Sequence, residues 1–176
     1  MSAQLKTAVS SQDHVQGSSN ATIKLVEYGD YQCSYCGEAY PIIKAVQQTL
    51  GNDLELVFRN FPLPEVHPDA ENAAKAAEAA ALQNKFWEMH DMLYENQQQL
   101  DEEHLVSFAK KIGLDVNQFK SDMQKSAVSD KIENDFESGV RSGVNGTPSF
   151  FINGKKYDGD WQDEDGFTQY LKSQLQ

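Results

Sequence analysis

Long apolar runs, positive charge and cysteine are all scarce in this sequence. No stretch approaches the roughly 20 consecutive apolar residues that a membrane-spanning helix needs, so no membrane insertion is expected. Lysine and arginine number 15 against 27 acidic residues, a formal net charge of −12. The phosphate backbone of a nucleic acid would repel such a chain, which removes nucleic acid from the expected partners. The first twenty residues are polar and lack an apolar core segment, so they are not a signal peptide as written. They read as a flexible N-terminal arm, residues 1–20, ending in Gly17-Ser18-Ser19-Asn20. The expectation is a cytoplasmic protein as numbered, or a periplasmic or otherwise extracytoplasmic one if the chain is a trimmed form.

The two cysteines, Cys33 and Cys36, lie three positions apart. A bond between them would close almost no loop and would constrain the unfolded chain little. A chain of 176 residues buries a sizeable core without such staples. Zinc is a poor explanation too, because a site needs four ligands, or three and a water. There is one CxxC, and His14, His67, His90 and His104 are not paired at ligand spacing. No metal and no other cofactor is expected.

Apolar periodicity organises the rest. Ile23 to Tyr28 reads as a buried strand, broken by Gly29 and Asp30. Ala39, Tyr40, Ile42, Ile43, Val46 and Leu50 recur at helical spacing, and Gly51-Asn52 stops that helix. Leu54 to Phe58 reads as a second strand, completing a βαβ unit. From Pro68 to about Asn96 the chain is rich in alanine and free of internal proline or glycine, which predicts one long helix or two abutting ones. Glu102–Ile112, Val116–Lys125 and Ser129–Val140 read as further helices. Strand character returns at Ser149–Ile152, with Asn153-Gly154 as a hairpin turn and Lys155–Tyr157 as the return strand. Asp163 to Leu175 closes as an amphipathic helix.

Chemistry concentrates at Gln32-Cys33-Ser34-Tyr35-Cys36-Gly37. Cys33 falls where a strand gives way to a helix, and the unpaired amides and dipole of a helix N-terminus favour an anion. A thiolate is such an anion, so the pKa of Cys33 should fall. The first cysteine would be exposed and nucleophilic. The second, one turn into the helix, would be shielded and placed to attack a mixed disulfide formed on the first. A CxxC in a βαβ setting is a moderately specific sign of this chemistry. Gly146-Thr147-Pro148 stands at the entrance of the last strand pair. A cis Thr147–Pro148 bond there would present the Thr147 backbone to an extended peptide, whereas an ordinary trans proline in a turn fits the same residues.

Together these residues resemble the thioredoxin superfamily, and within it the DsbA-like branch. The resemblance rests on Cys33-Ser34-Tyr35-Cys36 after the first long strand, Pro41 five residues beyond Cys36, Gly146-Thr147-Pro148, and an all-helical block between βαβ and ββα halves. It covers about residues 22–175. It implies an α/β thioredoxin-like fold with an inserted all-helical domain. The expected divisions are 21–65 for the first part, 66–140 for the insert and 141–176 for the second part. It also implies that Glu27, six residues before Cys33, is a buried acid that moves protons to and from Cys36. Burial should raise the pKa of such a carboxyl.

The implied activity is thiol–disulfide exchange on protein or peptide thiols and disulfides, with an unidentified redox-recycling partner. Ser34, Tyr35, Thr147 and Pro148 would form the substrate-binding surface, with Tyr31 and Trp161 as possible apolar walls. Strongly oxidising relatives carry Pro-His between their cysteines; Ser34-Tyr35 supplies no cation, so a less oxidising pair is expected. Two other readings share the fold: a chaperone or peptide-binding module without redox turnover, and a glutathione-dependent transferase or isomerase, a group that generally lacks the second cysteine. Fifteen acids and seven bases lie between Val66 and Gly139, so the helical block carries most of the net charge.

Overall fold

The computed structural model describes residues 2–176. Its strands are β1 (His14–Gly17), β2 (Ile23–Gly29), β3 (Leu54–Asn60), β4 (Ser149–Ile152) and β5 (Lys155–Lys156). Its helices are α1 (Ser34–Leu50), α2 (Ala70–Ala81), α3 (Phe86–Glu95), α4 (Glu102–Lys111), α5 (Val116–Asp122), α6 (Ser126–Arg141) and α7 (Glu164–Ser173). The five strands form one mixed sheet in the order β1-β3-β2-β4-β5. Strands β2 and β3 run parallel, joined through α1, and the other pairs are antiparallel. Helices α2 to α6 all fall between β3 and β4, so a helical block does separate a βαβ half from a ββα half.

Strand β3 is buried along its whole length, as a strand covered on both sheet faces must be. On one face Ile23, Leu25, Leu54 and Leu56 pack against Ala39, Ile43, Val46 and Leu50 of α1 and against Phe167 and Leu171 of α7. On the other, Val26, Tyr28, Val57 and Phe151 pack with Phe61 and Val144, and Phe136 of α6 lies against them. A third cluster joins the sheet to the helical block. Tyr31, Cys33, Cys36 and Phe58 meet Phe86, Met89, Leu93 and Tyr94 of α3 and the alanine face of α2. Alanine suits α2 because small side chains let neighbouring helices approach closely while keeping a high helix propensity. The alanine-rich stretch resolves into two helices, with Asn84 at φ 60° in the turn between them. The Asn153-Gly154 turn takes φ values of 48° and 82°, the left-handed pair that a tight hairpin requires.

The expectation of a flexible arm at residues 1–20 is corrected. Residues 14–17 form β1, paired with Glu55–Phe58 of β3. Gln4 bridges to Lys155, and the Leu5 amide donates to the Gly154 carbonyl at 2.8 Å. The cause lies in β3. Arg59 is 2% exposed, and a buried guanidinium needs partners. Its Nε and Nη2 donate to Asp13 at 2.8 and 3.0 Å, and Nη1 and Nη2 donate to the carbonyls of Thr7 and Ala8. The N-terminal segment supplies most of the polar groups that make Arg59 tolerable inside the fold.

Candidate active site

Cys33 is the N-cap residue of α1, in extended geometry with φ −69° and ψ 123°. Cys36 is one turn further and fully buried, and both are free thiols. Cys33 itself is only 5% exposed, which corrects the expectation of an open nucleophile. Spacing alone placed it at a helix end, but the tertiary structure closes over it. Its sulfur lies 3.5 Å from the carbonyl oxygen of Thr147, and Gln97, from the loop after α3, lies across the loop that carries it. Exposure belongs instead to Ser34 and to Tyr35, which is 56% exposed.

The loop ahead of α1 is held from several directions. Asp30 Oδ1 accepts from the amides of Gln32 and Cys33 at 2.8 and 3.2 Å. Its Oδ2 accepts from the Leu63 amide at 3.0 Å and pairs with His67 Nδ1 at 2.8 Å. Gln32 makes a reciprocal pair with Asp69, accepting its amide at 2.7 Å and donating to its carboxylate at 3.1 Å. Gln97 Nε2 donates to the carbonyls of Tyr31 and Cys33 at 2.9 and 2.8 Å. Asp30 and Gln97 were not singled out from the sequence. Asp30 carried a usable sign, since aspartate after a strand commonly bonds backbone amides two and three residues on. Gln97 carried none, because its approach is set by the packing of α3.

The two thiols are pushed in opposite directions. The Cys36 thiol donates to the Cys33 sulfur and does most to lower the Cys33 pKa, to about 5. The amides of Cys36 and Tyr35 act the same way, against the opposing effect of burial. Burial drives the Cys36 thiol upward, reinforced by its bond to Cys33 and by the charge of Glu27. Glu27 lies on β2, 3% exposed, and burial raises its carboxyl to about 8. The Thr147–Pro148 peptide bond is cis, and it brings a partly buried Thr147 against Cys33. Of the expected site residues, then, Cys33 lies against Thr147 and one turn from Cys36, Ser34, Tyr35 and Pro148 lie beside them in the chain, and Glu27 is buried on β2 with its charge helping to raise the Cys36 pKa. Tyr31 is not a groove wall. It is buried, with its hydroxyl 2.9 Å from His90 Nδ1. Trp161 packs edge-on against Phe150, beside the sheet core.

The thioredoxin family model matches residues 9–173. The chain belongs to the thioredoxin family. A thioredoxin-like oxidoreductase from Silicibacter pomeroyi DSS-3 superposes with a TM-score of 0.83 at 27% identity, covering 94% of this chain and 93% of that one. BdbD from Bacillus subtilis, in its oxidised form, gives 0.84 at 23% identity, covering 99% and 97%. The thiol-disulfide exchange protein α-DsbA2 from Wolbachia pipientis gives 0.81 at 22%, covering 93% and 87%. This thioredoxin-family chain therefore has the DsbA-like fold, with its helical block in place. Among curated proteins it is similar to the Na(+)/H(+) antiporter NhaA 1 of Salinispora arenicola (strain CNS-205), 40% identical over 152 residues. NhaA 1 of Mycobacterium sp. (strain KMS) is 41% identical over 151 residues. The matches cover 86% and 85% of this chain but 23% and 25% of those proteins, so the chain spans about a quarter of the length of these curated relatives. No described helix is long and apolar enough to cross a membrane.

Proposed function

We propose that this chain exchanges thiols and disulfides with protein clients through Cys33 and Cys36. The observation that carries the reading is the placement of two free thiols one helical turn apart, Cys33 capping α1 against the Thr147 carbonyl and Cys36 fully buried, settings that push the Cys33 pKa down and the Cys36 pKa up. In the oxidised form, a client thiolate attacks the Cys33 sulfur and Cys36 leaves, taking up a proton. The client's second thiol then displaces Cys33, which departs as a stabilised thiolate. The reverse sequence makes the same protein a reductase. Glu27, titrating near 8, exchanges the proton of Cys36 in either direction. Thr147 and Pro148, with Ser34 and Tyr35, form the surface against which the client backbone lies. A recycling partner resets the pair. Because Ser34-Tyr35 brings no cation to the thiolate, the potential lies below that of the strongest oxidants of the superfamily.

Ion antiport belongs to the longer relatives by name. What this chain shares with them is read as an exchange module, since Cys33, Cys36 and Thr147 form a complete reacting centre within it. The test is the reduction of insulin by dithiothreitol, followed by turbidity. The protein is expected to accelerate precipitation and Cys33→Ala to abolish the acceleration. Wild-type protein that adds nothing to dithiothreitol alone overturns the proposal and leaves the peptide-binding reading in its place.

A further inference from the structure

Tyr94 belongs to α3 in the helical block, yet its hydroxyl ends against β2. A Cβ placed on Gly29 would stand 2.8 Å from that oxygen, and 2.5 and 2.9 Å from two ring carbons of Phe58. Gly29 sits in ordinary strand geometry, so what the glycine supplies is room rather than an unusual backbone angle. The Tyr94 ring is fixed by Tyr31 at 4.8 Å, His90 at 5.0 Å and Tyr40 at 5.5 Å between centroids. Its oxygen is buried and has no hydrogen-bond partner among the described residues. A buried hydroxyl without a partner carries a penalty that phenylalanine would avoid, so its presence asks for a reason.

The surroundings supply one. Tyr94, Cys36 and Phe58 belong to one cluster, and Glu27 is the register partner of Phe58 on the neighbouring strand. Cys36 is the ionisable group that acts most strongly on Tyr94, and Glu27 the next. The hydroxyl is thus a buried donor without a partner among the described residues, in the same cluster as the buried end of the thiol pair.

We propose that Tyr94 is a positioning residue for the resolving step, its hydroxyl donating a hydrogen bond to the Cys36 sulfur as that sulfur loses its proton. The proposal rests on the exchange reading above and concerns one half-reaction of it. With a client held in a mixed disulfide on Cys33, the Cys36 proton passes to the Glu27 carboxylate. The Cys36 sulfur bonds to the Cys33 sulfur, the bond from Cys33 to the client sulfur breaks, and the client leaves as a thiolate. No further oxidant or reductant enters. Charge appears on Cys36 in a buried setting, where a nearby donor that a small side-chain shift can bring to the sulfur lowers the barrier. In the resting thiol the hydroxyl has nothing to satisfy, which fits its unpartnered state.

The probe is 4,4′-dithiodipyridine with reduced protein. The first thiopyridone reports attack by Cys33, and the second reports closure by Cys36. In Tyr94→Phe the first phase is expected to keep its rate and its pH midpoint. The second is expected to slow about tenfold at pH 7, with its pH midpoint raised by about one unit, and thermal stability should hold or rise. Placing 3-fluorotyrosine at position 94 keeps the ring and strengthens the donor, and should move the second phase the other way. A second phase with the wild-type rate and midpoint in Tyr94→Phe overturns the proposal. So does equal slowing of both phases, which marks lost packing. Wild-type protein that never releases a second thiopyridone overturns the exchange reading instead.

Discussion

The low pKa of Cys33 can be separated from mere accessibility by its rate profile against pH. A thiol of pKa about 5 is half ionised at pH 5, whereas free cysteine, at about 8.5, is ionised there to about 3 parts in 10⁴. That is an advantage of about 1,600-fold in thiolate. Nucleophilicity falls with pKa along a slope of about 0.4–0.5, which costs Cys33 about 40-fold over the 3.5 units between them. The net expectation is about 40-fold faster attack than free cysteine at pH 5 and near parity at pH 7. Restricted access to a residue 5% exposed lowers both figures equally, so the decisive quantity is the ratio of rates at pH 5 and pH 7. It should be about 0.5 for Cys33 and about 0.01 for free cysteine. The perturbation is Cys36→Ala. The Cys36 thiol is the largest influence lowering Cys33, and burial still opposes ionisation once it is gone, so the midpoint must climb from about 5 toward the ordinary range. The assay is the first phase of reaction with 4,4′-dithiodipyridine from pH 4 to 9. A wild-type midpoint near 8, or a midpoint that stays put in Cys36→Ala, refutes the reasoning.

Glu27 carries a stability prediction of opposite sign to that of most carboxyls. Its folded pKa of about 8 lies above its ordinary 4.5, so unfolding releases a proton between those limits and stability falls as pH rises from about 4.5 to 8. At 1.36 kcal/mol per unit, the loss approaches about 5 kcal/mol by pH 8. Glu27→Gln should therefore gain on the wild type by about that much between pH 4.5 and 8.5 in urea unfolding of the reduced protein. The opposing slope from Cys33 is common to both proteins, and a constant difference across that range contradicts the assignment. Asp13→Ala strands the buried Arg59 guanidinium and should cost about 3–5 kcal/mol in the same measurement. Replacing Arg59 by Met in that background should recover part of it, and a loss below about 1 kcal/mol would show that the N-terminal segment is dispensable.

What could be read from the residues alone was chemistry that is local in the chain. Cys33 and Cys36 share one turn, and Pro148 announces itself beside a strand, so neither needs the fold to be recognised. Strands β2, β3 and β4 were visible as apolar, β-branched runs whose burial on both faces suppresses alternation. Strand β1 was not visible: His-Val-Gln-Gly has no periodicity, and it pairs because Arg59 on the neighbouring strand needs Asp13 and the carbonyls of Thr7 and Ala8. Gln97 and Tyr94 escaped notice for the same kind of reason. Gln97 bonds to the Cys33 carbonyl and Tyr94 joins the cluster around the two cysteines from a distant segment, and both placements depend on how α3 sits against α1. The closure over Cys33 was missed likewise, because a helix end can be located from spacing while the loops that approach it cannot.

The N-terminal segment also determines what the sheet offers to other chains. Without it, the outer edge of β3 would be a margin of free amides and carbonyls, the kind of template on which an extended polypeptide anneals. Strand β1 moves that margin inside and leaves a four-residue border, where the Trp87 indole takes the Val15 carbonyl at 3.0 Å. At the far side Ala3 and Leu5 bond to the hairpin of β4 and β5. If the chain exchanges disulfides with unfolded clients as proposed, this arrangement keeps them from annealing to its sheet. On that proposal, client contact is left to the loops around Thr147 rather than to a strand edge.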